Sequence, residues 1–594
     1  MNNMSYNPED YYNAKCKNLE EQLVKIKKQL LVFGLLRISI FLLTSLAVYL
    51  LIDDTRSIFI SLLVGIVLFL YLVSKNENKR REKSKVVQLL TLNKLEINVI
   101  NRNFDGIKEG LTYLSELHDY NQDIDLFGKG SVFQMINRTS TLKGEQLLAE
   151  ILNSNLLEDI KLKQEAIAEL SKKIDWRQNY QAIGALIKTE IKSDTILNWL
   201  RDYKSKIPNL FKYLPTVYSL VSVTLFGLYL FSVIEIGFVL VSFFGGLFIT
   251  GVYLKKINDL YSSTSAMTGT FTQYSQLLDQ VENEDFEADL LKKAKKNIYG
   301  GEKKASAVLR QLSKELNSLD QRNNILFALF ANGLFLWDLK YAFRIENWIK
   351  SHTQTVENWF EVIEFFDAYN SFGNFAYNSV DYVYPELVSD ESIIIEAADL
   401  GHPLLIKEKR VDNDFKIDKE SFIIITGANM AGKSTFLRTV AINIVLANVG
   451  LPVCATKFNY RPIKLISSMR TSDSLQNDES YFFSELKRLK FIVESLKKDT
   501  YFVILDEILK GTNSKDKAEG SAKFVSKLVN SKSTGIIATH DLSLCELSET
   551  YPAIENKYFD AEIVNDELYF DYRFKDGICQ NMNASFLLRK MEII

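Results

Sequence analysis

The chain has 594 residues and should contain several domains, because a single hydrophobic core stops growing at about 250–300 residues. Its 71 basic and 74 acidic residues nearly cancel, which excludes a global field that would attract nucleic acid. Scattered cysteines and only four histidines argue against a disulfide framework and a metal cluster, so we predict buried or idle thiols in a reducing cytosol. These cysteines are Cys16, Cys454, Cys545 and Cys579.

Two apolar segments near the N-terminus predict a membrane hairpin. Residues 30–52 and 58–74 each approach the length of about 17–25 residues that crosses a bilayer as a helix. A cleavable signal peptide does not fit, because the first segment starts well inside the chain and the second follows at once. Basic residues flank both outer ends, which predicts that both ends are cytoplasmic. We interpret Arg37, inside the first segment, as an anchor that snorkels to the surface.

Residues 86–390 predict a helical region that contains a second membrane hairpin. Apolar residues recur there at three- and four-residue spacing. Residues 214–233 and 236–254 are together too long for one span and long enough for two short ones, with Glu235 at the outer turn. Lysines on both sides predict the same orientation as for the first hairpin. The alternative is a pair of buried core helices, but so long an apolar stretch is rare outside membranes.

A third apolar segment and a cluster of aromatic residues precede the C-terminal region. Residues 325–337 are shorter and contain Asn332 and Gly333, so we predict a buried core helix there. The aromatic residues could stack nucleic acid bases, but their helical spacing favours the core. Beyond them, strands and helices alternate as in an α/β nucleotide-binding domain. The predicted domains are residues 1–85, 86–390 and 391–594.

The sequence TGANMAGKST at residues 426–435 predicts a phosphate-binding loop. It fits G-x-x-x-x-G-K-[ST], follows an apolar run typical of a buried parallel strand and precedes a helical pattern. Such a loop aims backbone N–H groups and the positive end of a helix dipole at an anion. Lys433 is expected to neutralise the β- and γ-phosphates of a nucleoside triphosphate. The residues predicted to contact the nucleotide are Gly427, Ala428, Asn429, Met430, Ala431, Gly432, Lys433, Ser434 and Thr435.

Two later strands supply candidate catalytic groups. An apolar strand ends in Asp506 and Glu507, the arrangement of a Walker B element. Asp506 is expected to order Mg²⁺ beside Ser434, and Glu507 to polarise the attacking water. His540 ends a further strand, and we interpret it as a sensor of the γ-phosphate rather than as a structural histidine. Lys433, Glu507 and His540 are therefore the predicted catalytic residues of an ATPase whose cofactors are ATP and Mg²⁺.

A helix predicted from residue 478 to about residue 496 begins near these strands. Asp478 or Ser480 can cap its N-terminus. An ordinary cap is the simpler interpretation. The other interpretation is that this N-terminus contacts the ATP of a second subunit across an ATP-bound dimer.

These motifs, in this order and spacing, resemble the MutS family. Residues 426–435 look like its Walker A element, residues 505–512 like its D-E-I-x-x-G-T segment and residues 538–540 like its A-T-H switch. Residues 478–485 resemble its signature helix and residues 400–404 its R-H-P-L segment. The start of its core resembles residues 133–144. The resemblance covers the chain from about residue 124 onward. It implies a P-loop ATPase of the ABC type behind an all-α core and lever region, working as a homodimer through its ATPase domains. It also implies that Asn429 binds phosphate and that Ser480 acts in trans.

The departures from the family pattern lie mainly outside the loop. Ala428 and Ala431 replace a proline and a glycine, and both are small enough for the loop to survive. The first hairpin occupies the position of the mismatch-recognition and connector domains. We therefore expect a membrane-anchored, lipid-contacting MutS-like ATPase with cytoplasmic core and ATPase domains, and DNA binding is an inherited expectation. The alternatives are half of an ABC-type transporter, which lacks its L-S-G-G-Q signature here, a membrane ATPase without DNA binding, and a non-catalytic scaffold.

Overall fold

The computed structural model describes residues 7–115, 117–186, 193–298, 304–390, 392–470, 481–564 and 567–580. Within these ranges a mostly helical N-terminal part is followed by a C-terminal α/β part, as predicted. The helices of the N-terminal part are α1 (Pro8–Leu50), α2 (Thr55–Ile100), α3 (Val132–Ile136), α4 (Leu142–Asn153), α5 (Ile160–Lys172), α6 (Ile174–Leu186), α7 (Ser193–Asp202), α8 (Leu214–Leu230), α9 (Ile236–Thr264), α10 (Thr268–Asn283), α11 (Asp289–Lys296), α12 (Ala305–Asp320), α13 (Ile325–Phe335) and α14 (Trp337–Asn378).

Helices α1 and α2 form a long hairpin whose two helices touch at two levels. Near the turn, Gly65 of α2 lies so close to α1 that a Cβ atom there would collide with the Thr44 side chain. At the other end, Leu19, Ile26 and Val86 form a small buried cluster between the helices. The remaining apolar side chains of residues 31–71 mostly point outward and are exposed.

Three helices of the described chain are long and apolar enough to cross a membrane by length and composition. They are Pro8–Leu50, Ser57–Ile100 and the continuous stretch Ile236–Asn283. In the first of them, 0% of the most apolar 18-residue window is buried inside the protein. Helix α8 is also apolar but has only 17 residues. A fourth span would result if α13 and α14 are counted together across a bend of 82°.

The prediction of a buried core helix at residues 325–337 is wrong. Helix α13 does pack on α8 and α9, and Ala331, Asn332 and Gly333 are buried in that contact. Its opposite face is exposed, however, with Ile325 at 82% and Leu326 at 69%. The glycine and asparagine do not interrupt the helix, because they form the small-residue surface on which α9 packs. The helix ends at Leu336, whose positive φ of 50° turns the chain into α14.

Buried polar contacts fasten the hairpin to the helices beyond it. Arg138 Nε lies 2.5 Å from the carboxylate of Glu96 on α2, and both side chains are at most 4% exposed. The Asn378 side chain at the end of α14 donates to the other Glu96 oxygen at 2.8 Å. The same Asn378 accepts from the hydroxyl of Tyr12 on α1 at 2.8 Å. Of the aromatic residues predicted as core, Phe360, Phe366, Phe372 and Phe375 are at most 3% exposed, and Phe365 is half-buried against the same core.

The C-terminal part contains a six-stranded sheet, a four-stranded sheet and a two-stranded ribbon. Its strands are β1 (Glu386–Leu387), β2 (Ile393–Leu400), β3 (Asn413–Asp418), β4 (Phe422–Gly427), β5 (Lys457–Tyr460), β6 (Lys464–Ser468), β7 (Tyr501–Asp506), β8 (Thr534–Ala538), β9 (Ile554–Phe559), β10 (Glu562–Val564), β11 (Glu567–Tyr569) and β12 (Phe574–Asp576), and its helices are α15 (Lys433–Val449), α16 (Tyr481–Leu496), α17 (Ser514–Asn530) and α18 (Leu547–Thr550).

The strand order of the larger sheet determines which loops meet. The order is β12-β9-β4-β8-β7-β6, and all neighbours except β12 and β9 are parallel. The carboxyl ends of β4, β8 and β7 therefore lie side by side at one edge. The four-stranded sheet, in the order β1-β5-β2-β3, belongs to the same part of the chain.

Hydrogen bonds join the α/β part to the segment before α3. The Asp123 carboxylate accepts from the Ser467 hydroxyl at 2.6 Å and from the Arg470 backbone N–H at 2.8 Å. Arg488 of α16 donates to the backbone carbonyls of His118 at 2.8 Å and Ser467 at 2.6 Å. Helix α16 is thus tied both to its own sheet and to the helical part.

Candidate functional site

The glycine-rich loop joins β4 to α15 at the centre of the parallel edge. All six residues of β4 are buried, as expected of a central parallel strand. Gly427 has φ of 151° and Gly432 has φ of 105°, conformations that side chains rarely tolerate. A Cβ atom at Gly427 would also lie 2.6 Å from the backbone oxygen of Phe559 on β9. The motif therefore has glycine where the backbone requires it.

Lys433, the first residue of α15, folds back over its own loop. Its Nζ atom donates to the backbone carbonyls of Gly427 at 2.8 Å and Ala428 at 3.0 Å. The residue is only 6% exposed. Burial lowers the pKa of its ammonium group, while Glu507 and Asp506 oppose that shift. The site thus holds a buried cation beside two carboxylates.

The end of β7 supplies those carboxylates in two different environments. The Asp506 side chain is hydrogen-bonded to Ser434 of α15, and burial raises the pKa of Asp506. Glu507 has a positive φ of 50°, and its backbone N–H donates to the carbonyl of Ala538 at 2.9 Å. Ser434 and Asp506 together offer the hard oxygen ligands that Mg²⁺ prefers. The residues present therefore fit the predicted metal site.

His540, two residues beyond β8, connects the loop lysine to Glu507. Its Nε2 atom lies 3.0 Å from Glu507 Oε1 and 3.2 Å from Lys433 Nζ. Because Nε2 carries either a proton or a lone pair, it donates to Glu507 or accepts from Lys433, but not both at once. The hydrogen bond from His540 lowers the pKa of Glu507 to about 2. Glu507 is therefore ionised throughout the physiological pH range.

These groups face a cavity of about 440 Å³, a volume within the range of small-ligand sites. Of the loop residues predicted to contact the nucleotide, Asn429, Met430, Gly432, Lys433, Ser434 and Thr435 line this cavity. Gly427, Ala428 and Ala431 are buried and do not line it. The structure also brings Glu507 and His540 to the wall, as predicted. Ser480, the residue predicted to act in trans, lies outside the described residues.

Several residues on the far wall were not predicted from the sequence. Tyr572 reaches over the loop, since a Cβ atom at Gly432 would lie 3.1 Å from its ring. Arg410 lines the same wall and forms two hydrogen bonds with Asp412. His402 is buried there, and burial lowers its pKa to about 4, so it is neutral at physiological pH. His402 belongs to the segment at residues 400–404 that resembles a family motif, whereas no motif marks Arg410 or Tyr572.

Fold and site together define an α/β domain in which a glycine-rich loop, two carboxylates and a histidine meet at the carboxyl edge of a parallel sheet. Residues 423–589 match the sequence model of the family described as MutS domain V. The C-terminal part of the chain is therefore similar to the MutS family, in agreement with the resemblance drawn from the motifs.

The curated relatives match only part of the chain. The chain is 30% identical over 252 residues to DNA mismatch repair protein MutS of Staphylococcus haemolyticus, covering 40% of this chain and 28% of that protein. It is 29% identical over 214 residues to MutS protein homolog 4 of Homo sapiens, covering 34% of this chain and 22% of the relative. DNA mismatch repair protein MSH4 of Arabidopsis thaliana is also 29% identical over 214 residues, 35% of this chain and 27% of the relative. The matches thus span about a quarter of the relatives' length.

Proposed function

We propose that the protein binds ATP and Mg²⁺ in the cavity at the end of β4 and hydrolyses the ATP. The observation that carries this proposal is the chain of contacts from Lys433 through His540 to Glu507, next to the Ser434–Asp506 pair. A loop cation, a metal-ligand pair and an ionised carboxylate are the groups that phosphoryl transfer to water requires. The match of residues 423–589 to MutS domain V supports the same activity.

Each side chain has a role that follows from its position. The loop and Lys433 hold the β- and γ-phosphates, so the ammonium exchanges its contacts to loop carbonyls for phosphate oxygens. Ser434 and Asp506 hold Mg²⁺, which when bound neutralises charge on the phosphate oxygens. Glu507 accepts a hydrogen bond from the attacking water and orients it. With a pKa of about 2 it is a weak base, so its main contribution is positioning until the His540 contact is released.

Replacement of the loop lysine tests the assignment. Lys433→Ala should abolish measurable ATP hydrolysis by the detergent-purified, full-length protein. The control is Lys490→Ala, which removes a lysine of α16 whose side chain is 76% exposed and pairs loosely with Glu494. An unchanged rate in Lys433→Ala, with normal binding of a fluorescent ATP analogue, would remove this loop from the active site.

Dimerisation through the ATPase domains is part of the proposal. The α16 helix follows the segment that contains Ser480, and Glu485 of α16 accepts from the backbone N–H groups of Leu509 and Lys510 just beyond Glu507. A contact of a partner with the start of α16 would therefore reach the catalytic segment. Light scattering of Glu507→Gln should show a doubled mass on addition of ATP. The same experiment with Ser480→Ala added should leave the mass of a monomer, and doubling in both would exclude a contribution of Ser480.

A role related to DNA mismatch repair is proposed from the relatives, several of which are named DNA mismatch repair proteins. The match to the family model begins at residue 423, so it does not include the helical part of the chain. A gel-shift experiment with mismatched and branched duplexes, with and without ATP, tests the role. Binding that weakens with salt would support it. Absence of binding to every duplex at low salt would favour a membrane ATPase without DNA binding.

We further propose that α1 and α2, and α8 and α9, anchor the protein in a membrane with the ATPase domain on the cytoplasmic side. Helices α1 and α2 expose long apolar surfaces that water would not tolerate. Lys25, Lys27 and Lys28 precede the first apolar segment, and several basic residues between 75 and 85 follow the second. This distribution favours cytoplasmic ends for both helices.

Cysteine labelling in intact cells tests this orientation. The four natural cysteines are buried, so they give a low background. Asp54→Cys, in the turn between α1 and α2, should react with a membrane-impermeant maleimide in intact cells. Lys75→Cys, at the basic end of the hairpin, should react only after the cells are permeabilised. Equal reaction of both sites before permeabilisation would contradict the proposed topology.

A further inference from the structure

A cleft lies between α1 and α2 at the basic end of their apolar segments. It has a volume of about 560 Å³ and is bounded by Leu30 and Arg37 of α1 and by Asn76, Arg80, Lys83 and Val87 of α2. The two helices touch above the cleft at Gly65 and Thr44, and below it in the cluster that contains Ile26 and Val86. The cleft therefore lies between two levels at which α1 and α2 touch.

Three of the polar residues that line the cleft are cationic, and the other three, Asn76, Ser84 and Gln88, are neutral. Asn76, Arg80 and Lys83 follow a spacing of four and then three residues, which places them on one face of α2. Arg37 faces them from α1. No aspartate or glutamate lines the cleft, and in the part of the chain that the structure describes, none of the three cations lies within 4.0 Å of a carboxylate. By contrast, the neighbouring Lys79 is paired with Glu82 at 2.7 Å.

Two groups of the cleft are buried, and one of them has a donor without an acceptor among the described residues. The Nε atom of Arg37 is buried and has no hydrogen-bond acceptor. Asn76 is only 5% exposed, so its amide lies inside the hairpin next to the cationic side chains. An unsatisfied buried donor is destabilising, more so if it is charged, and three like charges around one gap repel each other. The cleft therefore favours a ligand that brings negative charge and several acceptor oxygens.

A phosphate group has that chemistry. Arginine donates to two oxygens of a phosphate at once, and lysine adds a compact positive charge. With a rise of 1.5 Å per residue, Arg37 lies only about 10 Å along α1 from Leu30, where the apolar segment begins. In a bilayer this is the depth of the headgroups and the adjoining acyl chains. Basic pockets between membrane helices on the cytoplasmic side are suited to acidic lipid headgroups.

We propose that this cleft binds the phosphate group of an acidic phospholipid from the cytoplasmic leaflet, with Arg37, Arg80 and Lys83 as the cationic ligands and Asn76 as an amide donor. The proposal rests on the membrane placement proposed above. The lipid would fill the gap between the two contact levels and fix the spacing of α1 and α2 where they leave the membrane. Those helices continue to Tyr12 and Glu96, which bond to Asn378 of α14, so the ligand would also set the position of the hairpin on the helical core.

Native mass spectrometry of the full-length protein in detergent tests the site. The probes are phosphatidylglycerol, phosphatidylcholine and inorganic phosphate. The variant Arg37→Gln/Arg80→Gln removes two ligands, and Lys28→Gln/Arg81→Gln removes the same charge from exposed positions outside the cleft. The single variant Arg80→Gln replaces an exposed residue and tests the site even if the double variant does not fold. Thermal unfolding in the same detergent reports whether each variant is folded.

The wild-type and Lys28→Gln/Arg81→Gln proteins should retain phosphatidylglycerol and not phosphatidylcholine. The cleft variant should retain at least about tenfold less, because it has lost two of the charged donors to the phosphate. If inorganic phosphate displaces the bound phosphatidylglycerol, the cleft recognises the phosphate alone. If phosphatidylglycerol stays bound in the presence of inorganic phosphate, the site is assigned to the lipid. Equal retention in the cleft and control variants, or of both lipids, would overturn the proposal. Recovery of the protein without detergent would instead contradict the membrane placement.

Discussion

The α/β domain and the helical part place their important polar groups in different ways. In the α/β domain, the loop at residues 426–435 and the carboxylates Asp506 and Glu507 are short motifs at strand ends, and the sheet order brings them together. In the helical part, single polar residues from distant segments meet in the core. Arg177, which is 0% exposed, donates to Asn374, 197 residues away. The polar groups of the first region therefore follow from local motifs, whereas those of the second are positioned by long-range packing.

The largest expected effect tests the local site. Glu507→Gln keeps the shape of the side chain and removes the charge that orients water. Hydrolysis of ATP should fall by about 10²- to 10³-fold while ATP binding is retained. Glu494→Gln, the same change at an exposed position of α16, should leave the rate unchanged. A rate for Glu507→Gln within threefold (about 0.7 kcal/mol) of the wild type would move the catalytic role elsewhere.

The next effect tests the long-range packing of the helical part. Glu96→Gln leaves the charge of Arg138 buried without its ionic partner, and removing one member of a buried pair costs about 3–5 kcal/mol. Glu20→Gln is the matched change in an exposed pair between α1 and α2, where Glu20 lies 2.8 Å from Lys94 and water screens the attraction. Thermal unfolding in detergent should show a clear loss only for Glu96→Gln. Equal melting temperatures would show that the buried pair does not hold the hairpin.

A glycine substitution sharpens the comparison within the hairpin. Gly65→Leu places atoms where Thr44 already lies, so it should separate α1 from α2 at a cost of about 1–3 kcal/mol. Gly34→Leu is the control, because a Cβ atom at Gly34 meets nothing within 4 Å. Disulfide formation between cysteines introduced at neighbouring positions of the two helices measures the separation. Similar cross-linking in both variants would contradict the close contact at Gly65.

The smallest expected effect is a pH dependence that arises in the helical part. Burial raises the pKa of Glu364 to about 7, Lys143 opposes this shift, and the nearby acids Asp194, Glu361 and Glu150 add to it. The folded protein then binds this proton more tightly than the unfolded chain, whose glutamate titrates near 4.5. This residue's contribution to stability therefore falls as the pH rises from about 4.5 to about 7, and is constant above.

Melting temperatures at pH 5 and pH 8 measure this contribution. Glu364→Gln should gain stability relative to the wild type at pH 8 but not at pH 5. Glu361→Gln, one turn away on the exposed side of α14, should show a smaller difference between the two pH values. If Glu364→Gln and the wild type differ equally at both pH values, the proton is not bound more tightly in the folded state.

The sequence predicted the parts of the molecule that depend on local patterns. The loop between β4 and α15, the apolar hairpin helices and the core position of Phe366 and Phe372 all follow from spacing along the chain. The sequence could predict that His540 and Glu507 lie near each other but not that they form a hydrogen bond. The distance between them depends on the register of β7 against β8. Membrane placement remains a prediction.

Other features could not be predicted because they depend on tertiary packing. Tyr572 reaches the loop from the segment between β11 and β12, which no local pattern connects to it. Helix α13 was predicted as core from its length and its Asn332 and Gly333, but those residues form its contact with α9 and leave the other face exposed. The same is true of the cleft at Arg37, whose opposing residues Asn76 and Arg80 come from the other helix of the hairpin.

The central claim is that a MutS-family ATPase domain operates on a membrane-embedded helical part. ATP hydrolysis measured in membrane and supernatant fractions of cells that express the wild type or Lys433→Ala tests it most directly. The account predicts Mg²⁺-dependent hydrolysis that sediments with the membranes, is released only by detergent and is lost in Lys433→Ala. Recovery of the wild-type protein and its activity in the high-speed supernatant without detergent would contradict it.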